Sequence, residues 1–216
     1  MAGFPAALNR LREAADRIGF DGLPNADVGG ADSQYDKISA GQECVAYLGS
    51  TCGLSPGAHM AEDHAIVEVL DPVSGRPVSD GQRGSLVATS LNRDNPMIRY
   101  NVGDIVRIDS TPCRCGETTR WGFFEGRAKD LVEVGGREVL PIDVARALRP
   151  NAEFVVVRPA RVSDTLHVRI EGPANDEWID RITASIGVHV EVQWLAQGAL
   201  PRAAYKTQRV IDASAG

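Results

Sequence analysis

Apolar and polar positions alternate through much of the middle of this chain, and a period of two predicts strands. Ala65–Leu70 (AIVEVL) and residues 85–91 and 105–108 carry the β-branched content of strands, with turn signals at Asp71-Pro72 and Asp80-Gly81. Upstream, ECVAYLGSTCG is a short β-prone apolar run stopped by small residues. The start of the chain follows another period. In MAGFPAALNRLREAADRIG, Ala7, Leu8, Leu11, Ala15 and Ile18 recur at helical spacing, which predicts an amphipathic helix ending near Gly19. A Gly/Asp/Ser-rich stretch, NADVGGADSQ, comes next.

Past Phe124 the pattern changes. LVEVGGREVLP reads as a hairpin around Gly135-Gly136, and PIDVARAL as a helix with Pro141 at its tolerated first position. Strands at 154–157 and 166–170, a helix at Asp176–Ile186, a strand at 190–194 and a polar tail follow. The expected class is α+β: a β-rich unit over residues 1–126, then a small α+β unit over 127–216 built on a three-stranded sheet, with the boundary at 126–130.

Composition changes the picture mainly by exclusion. The chain has 216 residues, 43% hydrophobic and 24% charged, and a formal net charge of −6, so it is long enough to bury a core. It offers no broad basic face, which argues against nucleic acid as a partner. Charges interrupt the first apolar pattern, so it does not read as a signal peptide, and no run approaches the roughly 20 apolar residues of a membrane span. A cytoplasmic setting is expected, where the four cysteines suggest thiols or metal ligands more than disulfides.

VGGADSQ, YLGST, HMAEDHAIVEVLDP, MIRYNVGDIVRI, CRCGETTRWGFFEGRAKD, GGREVLP and LPRAAYKTQRVID occur in that order. In order and spacing they resemble the second half of phenylacetate–coenzyme A ligase and its relatives among the adenylate-forming enzymes. Such enzymes activate a carboxylic acid with ATP as an acyl-adenylate and usually pass it to a thiol. The resemblance implies a remnant β-rich subdomain of the ligase core followed by the α+β lid.

It also implies roles residue by residue. Asp104, in the position of the aspartate of RY-x-x-GD, is expected to accept from both ribose hydroxyls; two acceptor oxygens suit a vicinal diol, and Gly103 lets the backbone come close. Arg127 matches the arginine that contacts the ribose, Lys129 the hinge, and Gly136 the glycine lining the thiol tunnel. Gly29, Gly30, Tyr47, Gly49, Ser50 and Thr51 fall in the segments that line the nucleotide in relatives. Lys206 matches the lid lysine that reaches the carboxylate and α-phosphate, where a cation stabilises developing charge. Cys52, His59, Cys113 and Cys115 match a structural zinc set, and three thiolates with one imidazole make a closed tetrahedral shell. Cys44 reads as a small buried hydrophobe. Against these, each residue has a plainer reading as a turn aspartate, linker charge, hairpin glycine, solvated tail lysine or unligated thiol.

Departures from the family pattern limit the activity expected. No Gly/Ser/Thr-rich turn before a lysine stands near the N-terminus as a phosphate loop. Thr51 is followed directly by Cys52, so the glutamate that binds Mg²⁺ in relatives has no counterpart, and GGEP has become Gly29-Gly30-Ala31-Asp32. ATP-dependent ligation by this chain alone is therefore not expected. Three readings follow: a half-ligase completed by a partner chain or by a homodimer; an enzyme repurposed for a carboxylic acid or acyl thioester, using Lys206, Asp104 and His64; or a non-catalytic module that binds nucleotide, coenzyme A or a carrier arm, or acts as a scaffold.

Overall fold

The computed structural model describes residues 49–52, 54, 57–93, 96–148, 152–201 and 208–213. The expected first helix, Gly29, Gly30, Cys44, Tyr47 and Lys206 lie outside them. The chain divides into two compact units, one ending at Lys129 and the other beginning at Asp130.

The first unit is one six-stranded antiparallel sheet. Its strands are β1 (Gly49–Thr51), β2 (Ala58–Met60), β3 (Ala65–Leu70), β4 (Arg83–Ser90), β5 (Tyr100–Asp109) and β6 (Trp121–Arg127). Their order across the sheet is β1-β2-β6-β5-β4-β3. Alternation along β3 explains its role, because Ala65, Val67 and Val69 are buried while Ile66 is exposed. With Met60, Leu86, Ala88, Val102, Val106, Ile108 and Phe124 they form one core. Each fully buried Leu or Val there contributes roughly 1.5–3 kcal/mol relative to exposure. The Asp71-Pro72 turn after β3 is held by the Asp71 carboxylate, which accepts from the Val73 and Ser74 amides at 3.1 and 2.6 Å. Those bonds, Ser74 foremost, hold the Asp71 pKa below the usual carboxylate range.

A single 3-10 turn, Ala128–Asp130, follows β6. In the second unit β7 (Val132–Val134) and β8 (Arg137–Val139) make the expected hairpin, with Gly135 and Gly136 at φ +57° and +68° in its turn. Helix α1 (Pro141–Ala147) starts on its proline, and the Asp143 carboxylate accepts from the Leu140 amide at 2.9 Å. Then come β9 (Phe154–Arg158), β10 (Thr165–Glu171), helix α2 (Asp176–Ile186), β11 (His189–Leu195) and β12 (Val210–Asp212).

The sheet has four strands, not the three expected, in the order β11-β10-β9-β12. The tail read as polar supplies the fourth, because Val210 and Ile211 pair in parallel with Val156 and Val157. Leu166, Val168, Ile170, Val156 and Val190 are buried, as are Ile142 and Val144 of α1 and Ile182 of α2.

Helix α2 is capped at both ends. Asn175 accepts from the Trp178 amide at 3.3 Å, and Gly187 closes the helix in the left-handed conformation. Asn175→Ala is expected to lower unfolding free energy by about 1 kcal/mol, read by urea denaturation with an unchanged m-value. No helix among the described residues is long and apolar enough to cross a membrane.

Candidate functional site

Two clusters of chemistry occupy the first unit, one midway along β5 and one beyond its C-terminal end. Midway along β5, Asp104 sits directly across from Arg127, the last residue of β6. The Arg127 Nε lies 3.0 Å from Asp104 Oδ1, and its Nη1 donates to the Val102 carbonyl at 3.1 Å. The Asp104 side chain is 14% exposed and that of Arg127 29%, so the pair is shielded on its flanks but reachable. The guanidinium orients the carboxylate. Two residues expected to meet the same ligand are thus in contact.

The other predicted residues are more dispersed. Gly49, Ser50 and Thr51 form β1, in register with Met60, His59 and Ala58 of β2. Ala58 in turn pairs with Gly122, five residues before the Arg127 that faces Asp104. Gly49 is required by close approach, because a Cβ there would lie 2.0 Å from the His59 carbonyl oxygen. Lys129 lies in the 3-10 turn and Gly136 in the β7–β8 hairpin turn. His64 lies in the turn before β3, its side chain 63% exposed and 3.5 Å from Asp63.

The second cluster is the thiol set. Cys52 follows β1, His59 is the middle residue of β2, and Cys113 and Cys115 lie between β5 and β6. Antiparallel pairing of β1 with β2 and of β2 with β6 brings the three segments to one place, and all four ligand atoms lie within 4.8 Å of one another. The Cys52 and Cys113 sulfurs are 3.7 Å apart, and Cys115 Sγ is 3.3 Å from His59 Nε2. Around a tetrahedral ion with Zn–S bonds of about 2.3 Å, two sulfurs would be about 3.8 Å apart, so the spacing fits such an ion.

Neighbouring groups prepare these ligands. His59 Nδ1 lies 3.3 Å from the Thr119 carbonyl; donating to it leaves Nε2 as the ligand atom. The Glu117 carboxylate holds the Thr118 and Thr119 amides at 2.9 and 3.2 Å and so presents that carbonyl. The Leu54 and Glu117 amides donate to Cys52 and Cys115 sulfurs, each at 3.4 Å. Burial pushes the His59 pKa down, but bonds to the Cys113 and Cys52 sulfurs and to Thr119 outweigh it and leave it raised. The Cys115 amide draws the Cys113 pKa down. At Cys115 the Glu117 amide pulls the same way, yet burial and the adjoining Cys113 and Cys52 sulfurs prevail and its pKa is raised. Three sulfurs packed this closely resist joint ionisation, and a divalent cation removes that resistance. The donor set fits a metal.

Cys113 lies beyond the C-terminal end of β5, and it is Arg127, on β6, that grips Asp104. Glu125 went unnoticed in the sequence. It is buried in β6, and Arg83 and Arg107 donate to its two carboxylate oxygens, the latter at 3.2 Å. A charge between aromatic residues and a glycine in FFEGR was the available signal.

These elements define a portion of the adenylate-forming ligase fold. A crystal structure of 2-hydroxyisobutyryl-CoA ligase in the postadenylation state, in complex with 2-HIB-AMP, matches with a TM-score of 0.63 and 29% identity, covering 73% of this chain and 38% of that one. Phenylacetate-coenzyme A ligase of Thermus thermophilus is 30% identical over 189 residues, 72% of this chain and 42% of that protein. The Pseudomonas putida phenylacetate-coenzyme A ligase is 30% identical over 176 residues, 72% of this chain and 39% of that protein. The chain belongs to the phenylacetate–coenzyme A ligase family. It spans about two fifths of the length of these curated relatives. No protein-family model matches it.

Proposed function

We propose that this chain supplies the ribose-binding carboxylate and the lid of an acid–thiol ligase of this family, acting on a carboxylic acid or an acyl thioester through an AMP-bearing species. The observation that carries the reading is the Asp104–Arg127 contact at 3.0 Å, in a chain with family-like sequence on both sides of it. The ionised carboxylate accepts from the ribose diol, Arg127 holds it in place, and Lys206 neutralises the acyl phosphate end. The phosphate loop that adenylation needs would come from outside these 216 residues, and coenzyme A is the thiol acceptor the lid is suited to. Zinc held by Cys52, His59, Cys113 and Cys115 would serve structure, since four protein ligands leave no position open for water or substrate.

The test is calorimetric titration of AMP, ATP and coenzyme A into wild type and Asp104→Ala. Two charge-assisted hydrogen bonds, each worth about 1.5–3 kcal/mol, are removed, so AMP affinity is expected to fall by at least about a hundredfold. Equal affinity in the two proteins overturns the assignment. No AMP binding in wild type refutes the nucleotide reading.

A further inference from the structure

Asp104 and Arg127 can meet only because β6 carries one extra residue. Across β5 and β6, Val106 is paired with Phe124, Ile105 with Gly126 and Asp104 with Arg127. Two steps along β5, from Val106 to Asp104, thus match three along β6, from Phe124 to Arg127, and the residue left over is Glu125. Without that bulge, continuous pairing from Val106–Phe124 would set Asp104 opposite Gly126 and Arg127 opposite Gly103. Because side chains alternate faces, Arg127 would then point to the face away from Asp104.

We propose that Glu125 is a positioning residue for nucleotide binding: its carboxylate, clamped by Arg83 and Arg107, pins the β6 bulge that turns Arg127 onto Asp104. This rests on the reading of Asp104 as the nucleotide-binding carboxylate. The side chain of Glu125 is 1% exposed, against 24% for Arg83 and 35% for Arg107. An ionised carboxylate taken so far out of water demands compensation, and two arginines from two different strands provide it. Arg83 and Arg107 are themselves a register pair of β4 and β5. One carboxylate therefore ties the bulge to the adjacent β5 and, beyond it, to β4. Arg107 also lies over the Phe123 ring at 4.7 Å, which fixes its guanidinium from the other side. Gly126, at φ +148°, completes the bulge in a conformation that L side chains rarely adopt. Moving the extra residue to another position would place a side chain in that conformation, which opposes slippage of the register.

The prediction separates positioning from general stability. In Glu125→Gln the volume is kept and the charge lost. AMP affinity is expected to fall about tenfold, the scale of one charge-assisted hydrogen bond. Amide exchange is expected to quicken by about tenfold or more at Asp104–Val106 and Gly126–Arg127, with β3 amides such as Val67 little changed, as expected for a local opening. Arg107→Gln, a change at a partly exposed residue that keeps the fold, must show the same local pattern in weaker form, and Glu125→Asp must recover part of both losses. Exchange that rises equally throughout the sheet in both the Gln variants means a merely structural buried charge and overturns the proposal. So does wild-type exchange at the bulge in Arg107→Gln. Because exchange needs no ligand, a wild type that binds no AMP would refute the nucleotide reading while still testing what Glu125 does to the register.

Discussion

Cys113→Ser protein, prepared without added metal, is expected to contain no zinc, whereas wild type carries about one ion per chain. The variant should melt about 10 °C or more below wild type, because a ligand at a thousand times its dissociation constant stabilises by about 4 kcal/mol. The physical reason is connectivity. Cys52 and Cys113 are 61 residues apart in sequence, and their sulfurs are 3.7 Å apart in space. A bound ion therefore closes a long loop in the folded state and leaves β1, at the edge of the sheet, fastened to the β5–β6 connection. Elemental analysis with differential scanning calorimetry measures both quantities, and treatment of wild type with a chelator should reproduce the variant. A metal-free wild type whose melting equals that of Cys113→Ser would remove the site from consideration. Since Asp104 lies midway along β5 and is held by Arg127 of β6, AMP affinity should suffer much less than melting temperature does.

Gly49→Ala is expected to damage the same cluster without touching a ligand. The new Cβ would lie 2.0 Å from the His59 carbonyl oxygen and 3.0 Å from its carbonyl carbon, and backbone cannot yield as a flexible side chain can. At φ +154° the backbone itself disfavours an L residue. Strand β1 has to move away from β2, taking Cys52 with it while His59 stays paired to Trp121. The expected result is a loss of about 2–4 kcal/mol in stability together with at least a tenfold weaker zinc affinity, measured by competition with a chromophoric chelator. A variant with wild-type zinc affinity would show that β1 does not place Cys52.

The accuracy of the sequence reading follows the range of the forces involved. Strand Ala65–Leu70 and helix Asp176–Ile186 were legible to the residue. Each has a periodicity contained within the element, and α2 also has its own capping asparagine and closing glycine. The Gly135-Gly136 hairpin was legible for the same reason. Strand β5 was expected only over 105–108 and begins at Tyr100, because YNVG contains a glycine and a polar residue that read as a turn. Strand β6, WGFFEGR, and strand β12, VID, were not expected at all. Neither has a strand pattern of its own, and both are strands because a neighbour accepts their hydrogen bonds.

The candidate sites divide in the same way. Residue chemistry marked Asp104, Arg127 and the four metal ligands in advance: carboxylate, guanidinium, thiol and imidazole announce what they can bind wherever they fall. Whether those groups meet was decided by pairing between strands distant in sequence. Register brought Cys52 and His59 to Cys113 and Cys115, and one extra residue in β6 put Arg127 on the face of Asp104. A bulge leaves almost no trace in composition or periodicity, since it consists of a single residue whose only distinction is lacking a partner across the ladder. Local pattern and side-chain chemistry were therefore settled by the sequence itself. The tertiary structure alone decided which side of the sheet each group faced, because that depends on a count of residues in two strands at once.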